Sequence, residues 1–193
     1  LRNYDPVKGE VFIDNKSLKK HNLDIIRQNI GYVPQTTFLF SDSILNNIKF
    51  GNIHASHEDV IRFSKFANVH EDINGFYNKY NSILGERGIN LSGGQRQRIA
   101  IARALIKDPK IIILDDSLSA VDTETEDKIF RNVLNHISNC TKIIISHRIS
   151  TVKHCDKIIV LNEGKKIQEG SHSELIIKEG YYKDIFNQQV EGK

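Results

Sequence analysis

The chain has 193 residues, of which 39% are hydrophobic and 26% are charged, with a formal net charge of +3. This composition fits one globular domain with its own core and excludes a disordered chain. The charge is too small to indicate nucleic-acid or membrane-surface binding by itself. The two cysteines, Cys140 and Cys155, lack metal-ligand spacing and exclude a disulfide scaffold, which favours a reducing cytosol.

Two further features concern the ends of the protein and its relation to a membrane. No apolar run approaches the roughly 18 residues of a membrane span, and no signal peptide is visible. The sequence contains no methionine and begins with Leu1. We therefore expect these residues to be a fragment of a longer protein.

The predicted elements alternate between strands and helices, which favours an α/β domain with a mostly parallel sheet. The first are strands at Glu10–Asp14 and Gly31–Val33, followed by helices at Ser41–Lys49 and Glu58–Ala67. No strand-like run separates these two helices, so residues 41–80 are predicted to form an inserted helical subdomain.

A glycine-containing loop then opens a helix, with the sequence Leu91-Ser92-Gly93-Gly94-Gln95. Free backbone N–H groups and the positive end of the helix dipole favour anions in front of such a helix, and a serine hydroxyl adds a donor. This pattern predicts a site for phosphate oxygens. The alternative is that Ser92 and Gln95 only form a capping box.

The aliphatic run Ile111–Leu114 predicts a strand that ends in two acids, Asp115 and Asp116. Open α/β sheets place their ligands at the carboxyl ends of strands, and hard cations such as Mg²⁺ prefer oxygen ligands. The alternative is a strand that ends in two solvated carboxylates.

The remaining elements are a helix at Thr123–Ile137, a strand at Lys142–Ile145, a helix around Ile149–Lys153 and a strand at Lys157–Leu161. The aliphatic strands of this half are predicted to be buried on both faces.

The C-terminal tail begins with a turn between short strands within Glu163–Gly170. Ser171 and Glu174 predict a capping box for a helix that ends at Gly180. A last helix is predicted at Tyr181–Gln189.

In this order, the motifs resemble the nucleotide-binding domain of an ATP-binding-cassette (ABC) transporter over nearly the whole chain. The resemblance implies a P-loop NTPase-like (RecA-like) α/β core sheet, from residues 1–35 and 107–193, and an α-helical subdomain from residues 36–106. The positions that match the family's motifs are Gln35, Ser92, Gly93, Gly94, Gln95, Asp115, Asp116, Ser119, Asp122 and His147.

The resemblance also implies a role for each position at an ATP and Mg²⁺ site. Asp115 would hold Mg²⁺, and Asp116 would be the base that polarises the attacking water. Gln35 would sense Mg²⁺ and water, and His147 would contact the γ-phosphate. Residues 92–95 would bind the ATP of a partner domain, and Ser119 and Asp122 would lie at that interface.

Several segments resemble exporters within the family. Phe38-Leu39-Phe40-Ser41 looks like the segment that receives a coupling helix of the membrane domain, and Gly85-Glu86-Arg87-Gly88 looks like the exporter x-loop. The C-terminal residues Glu169–Leu175 and Gly180–Tyr182 are also similar to exporter endings. The resemblance thus implies transport at the cytoplasmic face of a membrane, with a second nucleotide-binding domain, homo- or heterodimeric, and no nucleic acid.

Two other classes of function stay open. One is a soluble ABC ATPase that acts on nucleic acid, which the basic residues Arg96, Arg98 and Arg103 suggest. The other is a non-catalytic ATP-binding regulatory module.

The chain departs from the family's pattern in two ways. No G-x-x-x-x-G-K-[ST] loop is present, so we expect the 193 residues alone to bind ATP weakly and to be inactive. Asp116 stands where the family usually has glutamate. This departure resembles exporters that pair two different subunits and have one degenerate ATP site. The alternative is a tolerated change in a slow homodimer.

Overall fold

A computed structural model describes residues 1–136 and 139–191 of the chain. The strands are β1 (Phe12–Ile13), β2 (Lys16–Ser17), β3 (Ile30–Val33), β4 (Ile111–Asp115), β5 (Thr141–Ile145), β6 (Ile158–Asn162) and β7 (Lys165–Gly170). The helices are α1 (Leu23–Gln28), α2 (Ile44–Lys49), α3 (His57–Phe66), α4 (His70–Asn74), α5 (Gly93–Leu105), α6 (Thr123–His136), α7 (Ile149–Val152), α8 (His172–Ile177) and α9 (Tyr181–Glu191).

The central feature is a parallel sheet with the strand order β3-β4-β5. Val33 lies beside Leu114, and Leu114 beside Ile144, so the three strands end at the same edge. The predicted α/β class and parallel sheet are confirmed. Two antiparallel pairs, β1–β2 and β6–β7, accompany this sheet.

One face of the parallel sheet carries the main core. Val33, Ile112 and Leu114 project from it and are at most 2% exposed. They belong to one buried cluster with the apolar sides of α5 and α6, including Ile101 and Ile129. The helices α2 to α5, which follow β3 along the chain, contribute to this same core.

The prediction that the aliphatic strands are buried on both faces is wrong for β5 and β6. Ile143 and Ile145 alternate with Ile144 along β5 and are 45% and 48% exposed, because they project from the face opposite the main core. Within the described residues β6 pairs with β7 alone, and its residues Ile159 and Leu161 are exposed. Strands β5 and β6 are therefore buried on one face and not on both.

Several predicted boundaries also change for local reasons. The predicted strand at Glu10–Asp14 shrinks to Phe12–Ile13, because Asp14 and Asn15 have φ of 48° and 59° and form the turn into β2. α2 begins at Ile44 rather than Ser41, because Ser43 Oγ accepts a hydrogen bond from the Asn46 N–H and caps the helix.

The ends of three other predicted helices can be compared in the same way. α8 ends at Ile177, ahead of Gly180, and α9 extends past Gln189 to Glu191. Ile137, at which the helix predicted from Thr123 ends, lies outside the described residues.

The C-terminal elements form a second, smaller core. Its buried members are Ile149, Ile158, Val160, Leu175 and Tyr182. α9 thereby packs beside α7, the short helix that follows β5. Helix α9 is thus fixed next to the edge where the parallel strands terminate.

Candidate functional site

The sheet edge brings together the predicted residues that follow its three parallel strands. Gln35 lies after β3, and His147 lies after β5. Asp115 is the last residue of β4, and Asp116 is the next residue along the chain. Parallel strands in an open sheet present their carboxyl ends to a common crevice, where such folds bind ligands. The fold therefore groups these four side chains by topology.

Hydrogen bonds connect the acids to the neighbouring strand. Gln35 Nε2 donates to Asp116 Oδ2 at 3.1 Å, and Tyr32 Oη donates to Asp115 Oδ2 at 3.2 Å. Partial burial, followed by the bond to Asp115, raises the pKa of Tyr32 above its ordinary value. Tyr32 was not predicted as a site residue, because an aromatic in a strand gives no signal of polar contact.

Asp116 is half-buried and has an unusual backbone conformation. Its φ is 45°, in the left-handed region that aspartate enters more readily than most residues. Its N–H donates to the Ile145 carbonyl at 2.8 Å, which ties the end of β4 to the end of β5. The carboxylate is therefore presented from a fixed turn.

His147 is exposed, and its imidazole makes no hydrogen bond within residues 1–136 and 139–191. Its neighbours hold the backbone instead: Ser146 Oγ accepts from the Arg148 N–H at 3.0 Å. Both ring nitrogens are thus available to a ligand at the sheet edge.

The Ser92–Gln95 segment forms the N-terminus of α5. Ser92 Oγ accepts from the Gln95 N–H at 3.2 Å, and Gln95 Oε1 accepts from the Ser92 N–H at 3.0 Å. The capping box weighed against a phosphate site is therefore present. It does not exclude that site, because the glycine N–H groups at the start of α5 keep their outward direction as orphan donors.

Ser119 and Asp122 lie on the loop between β4 and α6, beside the start of α5. Gln97 Oε1 accepts from the Ala120 N–H at 3.2 Å, and a Cβ at position 94 would lie 3.0 Å from the Ala120 carbonyl oxygen. Gly94 therefore permits the close approach of this loop to the Ser92–Gln95 segment, called the signature segment below.

The two predicted side chains on this loop are used within it. Ser119 Oγ donates to the Asp116 carbonyl at 2.8 Å. Asp122 accepts from the Thr125 N–H at 2.9 Å, as a helix N-cap does, and this bond lowers the pKa of Asp122.

Two further residues hold these segments and were not predicted. Asp72 in α4 accepts from Gln95 Nε2 at 2.9 Å and from Arg98 Nη1 at 2.8 Å. Arg148 donates to the Ser119 carbonyl at 2.8 Å and to the buried Glu126 at 2.7 Å. Their partners lie 22 or more residues away in sequence, a separation at which no local pattern indicates a contact.

The donor set at the sheet edge suits a magnesium–nucleotide complex. Mg²⁺ is commonly held by one or two carboxylates, with phosphate oxygens and water completing its shell. Asp115 and Asp116 supply two carboxylates, and the side-chain amide of Gln35 supplies a further oxygen. Among the described residues, no cluster of three or more His, Cys, Asp or Glu could hold a metal ion.

A separate surface carries the aromatic residues predicted to face a membrane domain. Phe38 and Phe40 are 50% and 38% exposed and meet edge-to-face, and Phe50, which lies outside the predicted segment, is 62% exposed and packs its tilted ring against Phe40. Arg103 of α5 lies behind them, donating to the Phe38 carbonyl at 2.9 Å and to the Asn47 carbonyl at 2.8 Å. Burial lowers the pKa of Arg103 to about 10.

The basic side chains that suggested nucleic acid are engaged inside the protein. Arg96 donates to the Leu91 carbonyl at 2.6 Å, and Arg98 pairs with Asp72. Arg103 is largely buried beneath the aromatic surface. These three guanidinium groups therefore stabilise the helical region and form no exposed basic patch.

In the part of the chain that the structure describes, no helix is both long and apolar enough to span a bilayer.

The protein's similarity to known proteins is extensive. The chain is 48% identical over 188 residues to the "Uncharacterized ABC transporter ATP-binding protein YknU" of Bacillus subtilis, covering 97% of this chain and 32% of that protein. It is 46% identical over 183 residues to the "Multidrug resistance-like ATP-binding protein MdlA" of Buchnera aphidicola, covering 94% of this chain and 32% of that protein. The chain thus spans about a third of the length of these relatives.

A solved structure shares the fold. The chain superposes with a TM-score of 0.94 and 38% identity on a bacterial Atm1-family ABC exporter with ATP bound, over 97% of this chain and 33% of that chain. This similarity bears out the P-loop NTPase-like fold. Residues 1–119, more than half of the chain, match the ABC transporter family. The chain belongs to the ABC transporter family.

Proposed function

We propose that this chain is part of the ATP-hydrolysing domain of an ABC exporter, where it couples ATP binding and hydrolysis to transport across a membrane. The observation that carries the proposal is the meeting of Gln35, Asp115, Asp116 and His147 at one sheet edge. Residues 1–35 and 107–193 form the core of this domain and residues 36–106 its helical subdomain.

Hydrolysis requires a water to attack the γ-phosphorus of ATP while the bond to the β-phosphate oxygen breaks. Asp116 is a weak acceptor for the proton of this water, because its side chain is one methylene shorter than glutamate, and Gln35, which contacts the Asp116 carboxylate, orients both. His147 donates an N–H to a γ-phosphate oxygen and stabilises its negative charge. Mg²⁺ held by Asp115 and Gln35 would neutralise charge on the phosphates.

A second nucleotide-binding domain completes each ATP site in this proposal. Ser92, Gly93, Gly94 and Gln95 present N–H and hydroxyl donors to the partner's ATP. Ser119 and Asp122 lie on the loop that meets the partner domain. Because this loop contacts the start of α5, we expect the two segments to move together when the partner domain binds.

The aromatic surface of Phe38, Phe40 and Phe50 receives coupling helices of a transmembrane domain at the cytoplasmic side of the membrane. Support comes from its exposure and from the anchoring of its backbone by Arg103. The internal use of Arg96, Arg98 and Arg103 favours this class over an ATPase that acts on nucleic acid.

The full-length protein, reconstituted in lipid vesicles with any partner with which it copurifies, tests the proposal. We expect Mg²⁺-dependent ATP turnover that falls by about 100-fold in His147→Ala, at the lower end of general acid–base and electrostatic contributions. The exposed His54, outside the site, provides the control His54→Ala, which should retain wild-type turnover. Turnover that requires DNA or RNA, or that His147→Ala leaves unchanged, would contradict the proposal.

A further inference from the structure

The side chain of Gln189, in the last helix, contacts the backbone on both sides of the loop that carries His147. Its Nε2 donates to the His147 carbonyl at 2.7 Å, and its Oε1 accepts from the Ile149 N–H at 2.9 Å. These contacts join residues 40 or more positions apart in sequence. One amide therefore bridges the junction between His147 and α7.

The bridge supplies a cap that α7 lacks locally. The first N–H groups of a helix have no partner within it, and its N-cap side chain usually provides one. Arg148 occupies the N-cap position of α7 without making such a bond. Its guanidinium donates instead to the Val121 and Ser119 carbonyls and to Glu126, so Gln189 takes over the cap.

The bridge also restrains His147 itself. The imidazole is exposed and makes no hydrogen bond to the part of the chain that the structure describes. Its direction is consequently set by its backbone, and Gln189 binds the carbonyl of that same residue. Loss of the bond would free the peptide group that aims the ring.

The helix that carries Gln189 is held by the smaller core. Tyr182 is 2% exposed, and its hydroxyl lies 2.8 Å from His172 Nδ1. Ile185 and Phe186, on the next turn, pack against the cluster that contains Ile149. The position of α9 therefore fixes the position of the Gln189 amide relative to α7.

We propose that Gln189 is a positioning residue for His147, and that α9 acts as a brace that holds this histidine in its hydrolytic position. The proposal rests on the function proposed above. It adds that the C-terminal helix, which carries none of the predicted ATP-site residues, controls the rate of the chemical step through its contact with the His147 backbone.

Gln188 and Gln189 provide a matched pair for the test, because Gln188 is the exposed neighbour on the same helix. Gln189→Ala, Gln189→Glu and Gln188→Ala are compared in the full-length protein. Gln189→Glu keeps the acceptor for the Ile149 N–H and loses the donor to the His147 carbonyl. Two readouts are needed: the kinetics of ATP turnover, and hydrogen–deuterium exchange of backbone amides in residues 146–152.

A misplacement of about 1 Å can cost on the order of 100-fold in rate, so release of one restraint in Gln189→Ala should lower kcat about 10-fold. KM for ATP should stay within about two-fold, because the interaction acts in the transition state. Exchange in residues 146–152 should become faster. Gln189→Glu should give an intermediate kcat, and Gln188→Ala should match the wild type in both readouts.

Two results would overturn the proposal. One is unchanged exchange in Gln189→Ala, which would mean that the bridge does not hold the loop. The other is faster exchange with wild-type kcat, which would make the bridge purely structural. An inactive wild-type protein would refute the proposed function and, with it, the kinetic role of Gln189, while the exchange comparison would still show whether the bridge exists.

Discussion

Asp116 combines a short side chain with a left-handed backbone at the edge of the sheet. It lacks one methylene relative to glutamate, which is about 1.5 Å of reach. Its carboxylate already accepts a hydrogen bond from Gln35 at 3.1 Å. The residue is therefore held in place but reaches less far than glutamate would, which is why we propose a weaker ATP site here, as in a heterodimer.

We predict that Asp116→Glu raises ATP hydrolysis at the site built from this chain's sheet edge, because the longer side chain restores the reach of the base. The gain should stay below the 10²–10⁴-fold typical of general-base catalysis, since glutamate enters the left-handed region less readily than aspartate. Asp116→Asn should change turnover little. The measurement is single-site turnover in the assembled transporter. Loss of all hydrolysis in Asp116→Asn would identify Asp116 as a working base in a homodimer.

The neighbouring Ser117 is a second unusual residue. It is 2% exposed, and its hydroxyl has no hydrogen-bond partner among the described residues. A buried polar group without a partner carries a desolvation cost, so Ser117→Ala should raise the free energy of unfolding by about 1 kcal/mol. Ser64 is equally buried, but its hydroxyl donates to the Val60 carbonyl at 2.7 Å.

Ser64→Ala is therefore the matched control and should lower the free energy of unfolding by about 1 kcal/mol. Urea denaturation of the two variants and the wild type gives both values. Destabilisation by Ser117→Ala of the same size as by Ser64→Ala would show that the Ser117 hydroxyl has a partner after all.

At the scale of elements, α4 determines how the start of α5 is presented. Because Gln95 Nε2 donates to Asp72, the other end of that amide, Oε1, must face the Ser92 N–H. Asp72 also pairs with Arg98, whose side chain is only 14% exposed. The Asp72 carboxylate thus fixes the orientation of the Gln95 amide and neutralises the mostly buried charge of Arg98.

We predict that Asp72→Ala lowers the free energy of unfolding by about 2 kcal/mol, as expected for hydrogen bonds to charged groups, and reduces ATP turnover. Glu71→Ala provides the control, because the Glu71 side chain is 89% exposed and should affect neither property. Urea denaturation and turnover of the full-length protein measure both effects. Equal effects of the two substitutions would show that Asp72 does not position the signature segment.

Most of the strands and helices could be predicted because apolar periodicity and caps are local, but β2, α1 and α4 were not predicted. Ser171 caps a helix as predicted, Ser92 forms the capping box that was the alternative to a phosphate site, and β3 and β4 lie within a residue of their predicted bounds. The burial of the strands was harder to predict, because an aliphatic strand such as β5 has the same sequence pattern whether one of its faces or both are covered. Contacts of Asp72, Arg148 and Gln189 were also beyond prediction, since each depends on the packing of distant elements.

For the whole molecule, α5 connects the two surfaces through which the proposed domain acts. It begins at the signature segment and carries Arg103 near its other end, where the guanidinium holds the backbone of Phe38 and Asn47. Seven of its thirteen residues are buried, so the helix moves with the main core rather than independently. Binding of a partner's ATP at one end can thereby be transmitted to the aromatic surface at the other.

The most direct test of this account is ATP turnover by the full-length transporter in lipid vesicles, with Ser92→Ala compared with Ser56→Ala. Both serines cap helices through capping boxes, so each substitution costs a similar amount of helix stability, about 1 kcal/mol. Only Ser92 is proposed to contact ATP. The account predicts that Ser92→Ala loses turnover by about 10-fold or more, as for loss of one preorganised donor, while Ser56→Ala keeps the wild-type rate. Equal turnover in the two variants would contradict it.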